Sequence, residues 1–284
     1  MTKIIALVDA SIYSRSVCDH AAWIAQKTGS AIEVLHVLGR RQTVSGSANL
    51  GGNIALGART TLLEELSDLD IRTAKFAQKR GRAILDDAKL NIEVAGVADV
   101  ATRLRIGDIV ETITEWETDA DMVVIGKRGE AADFAKLHLG SNLERISRAC
   151  QKPVFVASRE FKPIKQFLIA YDGGASSMKA VDQVARNVLF SGLQCRLLTV
   201  GPDTEETHKG LNDAQAILQA AGYAVNAEII QGQPEAVISD VVDSEGIDLL
   251  VMGAYGHSRI RSLIIGSTTT EMVRLCKIPI VFYR

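Results

Sequence analysis

The sequence predicts an α/β protein: two doubly wound five-stranded parallel-sheet units placed one after the other. Three observations carry this reading. Short apolar runs alternate with helical patterns along the whole chain, which is the order that gives a parallel sheet with helices on its faces. The order occurs twice, because Ile4-Ile5-Ala6-Leu7-Val8-Asp9 returns as Phe167-Leu168-Ile169-Ala170-Tyr171-Asp172, 163 positions later. The runs are apolar almost without interruption, as in Leu249-Leu250-Val251-Met252, which suits strands covered on both sides.

The second copy reads most clearly. Residues 167–171 are too short for a helix and are bounded by Asp172-Gly173-Gly174, so they form a strand. A helix is expected from about Ser177, with Val181, Val184, Ala185 and Val188 on one face and Gly192 as its stop. Strand two is 196–200. Gly201-Pro202-Asp203 turns the chain into a helix that runs to Ala221. Strand three covers 225–230. Gln233-Pro234-Glu235 places proline in the first turn of the next helix, which Gly246 closes. Strand four is 248–252, a last helix spans about 267–276, and strand five is 280–283.

The first copy keeps that order with a longer middle. Its second strand matches 32–37 to 195–200 at the same spacing of 163, but its glycine loop lies only 127 positions before its counterpart. The surplus falls between residues 39 and 90. It predicts a polar loop over 45–53 and a long helix from about Arg59 to Ala88. Pro163 prevents an element from running through the join, so the units are 1–160 and 161–284.

Bulk properties narrow the function classes. The chain has 284 residues, 47% hydrophobic and 23% charged, with a formal net charge of -2. That balance lacks the basic footprint of a nucleic-acid binder. No run of about 18 apolar residues offers a membrane span. The apolar start, closed early by Asp9, reads as a strand rather than a signal peptide. Cys18, Cys150, Cys195 and Cys276 show no CxxC or zinc spacing and read as buried residues of a reducing, cytoplasmic setting.

The chemistry concentrates in two loops. The second copy holds Gly253-Ala254-Tyr255-Gly256, nine residues, then Gly266-Ser267-Thr268, between an apolar strand and a helix. Such a junction aims backbone N–H groups and a helix N-terminus at one point, which suits a phosphate. In open α/β sheets ligands bind beyond the carboxyl ends of strands where strand order reverses. Asp172 and Gly173 end strand one there, and Val200 ends strand two. Arg259 and Arg261 add positive charge to the loop, which favours His257 as a phosphate contact over a solvated loop residue. His20, His36, His138 and His208 lack ligand spacing and read as structural, and Trp23 and Trp116 read as packing residues.

These features resemble the universal stress protein family in its tandem, two-unit form. Gly253, Gly256, Gly266 and Ser267 meet the family signature G-x2-G-x9-G-[S/T] in full. The resemblance spans nearly the whole chain, including the strand-end Asp9 and Asp172. It also includes the closing pattern Cys150-Gln151-Lys152-Pro153 and Cys276-Lys277-Ile278-Pro279.

The resemblance implies an adenine nucleotide alpha hydrolase-like sheet of order 3-2-1-4-5 and binding of ATP, with magnesium as a companion. Asp172 would lie by the adenosine or the metal, and Val200 would hold adenine through its main chain. Gly253, Gly256, His257, Gly266, Ser267 and Thr268 would hold ribose and phosphates. Asp9, Val37, Gly126, Gly129, Gly140 and Ser141 are the matching positions of the first copy. The family also implies that the last strands, 154–157 and 280–283, lie antiparallel within the chain. A homodimer of whole chains is left open.

The first copy departs from the signature, since ten residues separate Gly129 from Gly140. Glu130 and Asp133 in that loop oppose a polyphosphate, although Lys127, Arg128 and Lys136 offset them. There is no G-x4-G-K-[S/T] loop, no G-x-S-x-G elbow and, Asp172 apart, no strong general-base candidate beside the glycines, so any ATP hydrolysis is expected to be slow. Three readings stand: an ATP-binding stress-response module, a ligand-free scaffold of the same fold, and a slow nucleotide hydrolase or adenylyl transferase.

Overall fold

The computed structural model describes residues 2–39, 56–129, 141–254 and 272–284. The loop expected at 45–53 lies outside them. The described elements run β1 (Lys3–Leu7), α1 (Ser14–Thr28), β2 (Ala31–Leu38), α2 (Leu56–Val94), β3 (Val100–Ile106), α3 (Ile109–Trp116), β4 (Met122–Gly126), α4 (Ser141–Ala149) and β5 (Val154–Ala157). They continue as β6 (Gln166–Ala170), α5 (Ala175–Arg186), β7 (Gln194–Val200), α6 (Glu205–Ala220), β8 (Val225–Ile230), α7 (Pro234–Glu245), β9 (Leu249–Gly253) and β10 (Ile280–Tyr283).

All ten strands join one sheet in the order β3-β2-β1-β4-β5-β10-β9-β6-β7-β8. Each half therefore has the order 3-2-1-4-5. Pairing is parallel throughout, except at the centre, where β5 and β10 run antiparallel with Phe155 opposite Val281. Consecutive residues of a strand point to opposite faces, and both faces are buried. On one face Ile4, Ala6, Phe167 and Ile169 pack with residues of α1, α2, α5 and α6. On the other, Ile5, Leu7, Leu168 and Leu250 pack with residues of α3, α4 and α7. This explains why β4 and β9 carry no polar side chain.

Two helices differ from the sequence expectation. The helix opening the second half stops at Arg186, not at Gly192. Asn187 adopts an extended backbone and its Oδ1 accepts the Leu189 amide, which starts a short 3₁₀ turn (Val188–Phe190). That turn buries Leu189 and Phe190 completely and leaves Val188 exposed. Continuing the helix would have wasted two large apolar side chains. In the first half, α2 outruns the expected 59–88 by several residues at each end. Ile92 is still fully buried, and the chain leaves the helix after Val94 and turns at Gly96, whose φ of 95° favours glycine.

An ion-pair arrangement recurs on equivalent strands with its signs exchanged. In the first half Glu33 on β2, nearly buried, accepts from Lys3 (2.9 Å) and from Arg103 on β3. Burial alone would raise this carboxyl's pKa, but the hydrogen bonds from Lys3 and Arg103 outweigh it and hold it below the usual range. At the matching place of the second half stands Arg196 on β7. It donates to Glu228 on β8 and to Glu245 (2.9 Å).

Candidate functional site

Strand order reverses between β1 and β4 in the first half and between β6 and β9 in the second. The carboxyl ends of these strands carry the residues singled out from sequence. In the second half Oδ1 of Asp172 accepts the Gly174 amide (2.9 Å) and the Ser177 hydroxyl (2.6 Å). This closes the turn between β6 and α5. Gly173 has a φ of 76°, a conformation that side chains disfavour. Asp172 itself is exposed at the strand end, and no other described group binds its second oxygen.

The first half repeats the device. Oδ1 of Asp9 accepts the Ser11 amide (2.9 Å), while the Ser14 hydroxyl accepts the Asp9 amide (3.0 Å) and donates to the Asp9 carbonyl. Ser14 and Ser177 are themselves 163 positions apart. They tie each strand-end aspartate to the following helix, and the sequence reading passed over both. The signal was present in the repeat spacing, but serine is too common beside helix starts to stand out alone.

The glycines after β4 and β9 meet those helix starts. A side chain on Gly253 would place its first carbon 2.5 Å from the Ser177 nitrogen and 2.7 Å from the Ser176 carbonyl carbon. The loop thus leaves β9 flush against the first turn of α5, beside Asp172. In the first half the same virtual atom on Gly126 meets Cβ of Tyr13 at 2.7 Å, and that on Gly129 meets Oδ2 of Asp9 at 2.9 Å. Asp9 and Gly129 therefore meet directly, whereas Asp172 and Gly253 meet through Ser177, which touches both. Val37, one residue before the end of β2, and Val200, which ends β7, are both half-buried and lie one strand away from their aspartates. Gly140, Gly256, His257, Gly266, Ser267 and Thr268 lie outside the described residues. Ser141 opens α4, and its side chain is not among those described.

The halves differ at one equivalent position. Tyr13 precedes α1 where Ser176 stands in α5. In the first half a phenol ring, largely buried, packs beside the glycine. In the second half a hydroxyl occupies that place, and Ser176 Oγ is a buried oxygen with no hydrogen-bond partner among the described residues.

The charge balance also changes from the sequence reading. Lys127, expected to offset the acidic residues of the first loop, points elsewhere. It is buried, and its ammonium donates to the Cys276 carbonyl, just ahead of β10 in the other half. Burial pushes its pKa down to about 8, with Arg128 adding to the effect and Cys276 opposing it. His36 donates to the Val8 carbonyl (2.7 Å), and His208 bonds Asp203 (2.5 Å). Both are structural, as expected. Trp116 packs between two guanidiniums, with Arg103 and Arg105 4.6 and 4.5 Å from the ring centre. The four cysteines are buried and unpaired with one another. Among the described residues no three potential metal ligands cluster, and no helix is long and apolar enough to cross a membrane.

Comparison with known proteins agrees with this architecture. The profile of the Universal stress protein family matches residues 1–158 and 203–284. A universal stress protein of Synechocystis sp. is 37% identical over 287 residues, covering all of both chains. One from Mycobacterium tuberculosis is 24% identical over 232 residues, covering 74% of this chain and 78% of its own. Among solved structures, a universal stress protein from Archaeoglobus fulgidus superimposes with a TM-score of 0.75 at 20% identity. It covers 99% of this chain and 98% of its own, a likeness of fold.

Proposed function

The chain belongs to the universal stress protein family, and from that premise we propose that it is an ATP-binding regulatory module with its nucleotide in the second half. The observation that carries this reading is the meeting of Asp172 and Gly253 on the first turn of α5, where strand order reverses. A carboxylate there can accept ribose hydroxyls or hold a magnesium that arrives with the phosphates. The Ser177 amide and the Ser176 hydroxyl, which has no partner among the described residues, lie beside Gly253, the first glycine of the complete signature. ATP would supply a charge-bearing ligand, and the chain's own part is to bind it and change the loop's position. Units 1–160 and 161–284 act as a pair, the first as a non-binding or weaker partner. Tyr13 places a phenol ring where Ser176 offers a hydroxyl without a partner among the described residues, and the first loop carries Glu130 and Asp133. We assign no side chain of the site as a general base. The module acts by binding, in the cytoplasm, and turns over ATP at well under about 1 per second.

Calorimetry with ATP and magnesium tests this. One binding event per chain is expected. Asp172→Asn keeps an oxygen for Gly174 and Ser177, so the turn survives, yet it removes the charge. Affinity should fall by roughly tenfold, the scale of one charged hydrogen bond. Gly266→Val should abolish binding while leaving the fold intact. Absence of binding in the wild-type chain would leave the scaffold reading instead, and two equal sites would refute the asymmetry.

A further inference from the structure

The first part of α2 does not pack on its own sheet. The helix is anchored by Leu85, Ala88 and Ile92, which are buried. From Leu62 to Arg80 no described side chain is buried. Yet this stretch is rich in large apolar residues: Leu63 is 50% exposed, Leu69 51%, Ile71 49% and Phe76 70%. Five residues, Leu62, Leu66, Leu69, Thr73 and Phe76, follow one another at spacings of four, three, four and three. That alternation is the seam of a coiled coil. At 1.5 Å per residue the seam is about 21 Å long.

The charges along the same stretch are segregated. Glu64, Glu65 and Asp68 precede the midpoint at Leu69, Asp70 adjoins it, and Arg72, Lys75, Lys79 and Arg82 follow. We propose that this helix face is a homodimer interface on which a second copy of the chain docks antiparallel, about a two-fold axis near Leu69. The pattern is self-complementary only in that orientation. Leu69 meets Leu69 of the second copy, Leu62 meets its Phe76, and each acidic half lies along the other's basic half. Residues flanking the seam agree, since Glu65 and Arg72 occupy equivalent positions in successive heptads. In an antiparallel pair these positions face each other across the seam and attract. In a parallel pair Glu65 would instead approach Asp70 of the second copy, acid against acid. An isologous contact of this kind closes at two chains and leaves no open end for further growth.

The interface uses neither nucleotide crevice, so it stands or falls apart from ATP binding. Light scattering and sedimentation of the full chain test it. The wild type should show twice the 30.6 kDa chain mass at about 100 µM, a concentration that captures even weak dimers. Leu69→Glu places two carboxylates together at the axis and should weaken dimerisation by roughly 100-fold or more. Because Leu69 is half exposed within its own chain, the variant should keep the wild-type circular dichroism and ATP affinity. Glu65→Lys alone should weaken the dimer, and Glu65→Lys with Arg72→Glu should restore it. A single-chain mass for the wild type at that concentration overturns the proposal. So does a dimer that survives Leu69→Glu, or a charge exchange that fails to restore association.

Discussion

Replacing Gly253 by alanine tests whether the glycine loop must lie flush against α5. The added methyl carbon would stand 2.5 Å from the Ser177 nitrogen, 2.7 Å from the Ser176 carbonyl carbon and 2.8 Å from Ser176 Oγ. Comfortable contacts between such atoms are about 3.5–4.0 Å, so the two backbones must separate by roughly 1 Å. Neither yields easily. The helix start is fixed through Asp172, and α5 buries Ala180, Val181 and Val184 completely. On the other side β9 is hydrogen-bonded between β6 and β10. Overpacking of this kind costs about 1–3 kcal/mol, which lowers the melting midpoint of a chain this long by roughly 3–10 °C. The same displacement moves the loop away from Asp172, so ATP affinity should fall by about tenfold or more, at ~1.4 kcal/mol per factor of ten. Gly201→Ala is the control, because no described atom lies within 4 Å of its virtual side chain. Differential scanning calorimetry and ATP titration of both variants decide the matter. Equal behaviour of the two would refute the close approach and its role in binding.

Two pH effects follow from buried bases. His20 donates through Nδ1 to the Ser16 carbonyl and lies between Phe155 and Phe161, and burial pushes its pKa down to about 4. The unfolded chain takes up a proton near pH 6.5 that the native state refuses, so stability falls as pH drops from 6.5 to 4, by about 3 kcal/mol. Urea unfolding of wild type and His20→Phe across that range should show a steeper acid loss in the wild type; parallel curves would contradict it. Lys127 acts in the opposite range. Its native pKa of about 8 lies below that of the unfolded side chain, so its contribution to stability rises between about pH 8 and 10.5. Burial holds the Cys18, Cys150 and Cys195 thiols up to about 12, which lowers stability above pH 9. The comparison must therefore be made against Lys127→Met, and the wild-type advantage should grow from pH 7.5 to 10. A constant difference would show that the lysine is not desolvated.

Strands covered on both faces were the most legible part of the chain. The bounds of β8 and β10 match the expectation residue for residue, because buried apolar runs are cut sharply by turn residues. Helix ends were less so. Nothing local in Val188-Leu189-Phe190 says that a 3₁₀ turn will bury two of the three and expose the first; the packing against α1 and the sheet settles that. The strand-end aspartates and the glycines were legible as candidate site positions, and the structure sets Asp9 against Gly129 and both Asp172 and Gly253 against Ser177. Lys127 was misread because a cation in a phosphate-like loop looks committed to that loop. Its actual partner is a carbonyl 149 positions away, visible only once β5 and β10 lie together. Glu33 and Arg196 likewise sit at matching positions, and their opposite signs acquire meaning only through strand register.

Those inverted signs bear on how a chain with two similar halves avoids tangling with itself. While both halves are still assembling, β3 and β8 are rival edge partners for β2 and β7, and tandem repeats are prone to such crossed pairing. A swap would bring Glu33 to Glu228 and Arg103 to Arg196, two like-charged encounters in each of which one partner, Glu33 or Arg196, is largely shut off from water. Correct pairing is rewarded twice and the crossed product penalised twice. Exchanging the signs in one half alone, through Glu33→Arg with Arg103→Glu and with Lys3→Glu to keep the third partner attractive, would keep the native pairing intact and erase the distinction. Such a chain should reach the same final stability but yield more misassembled product on refolding.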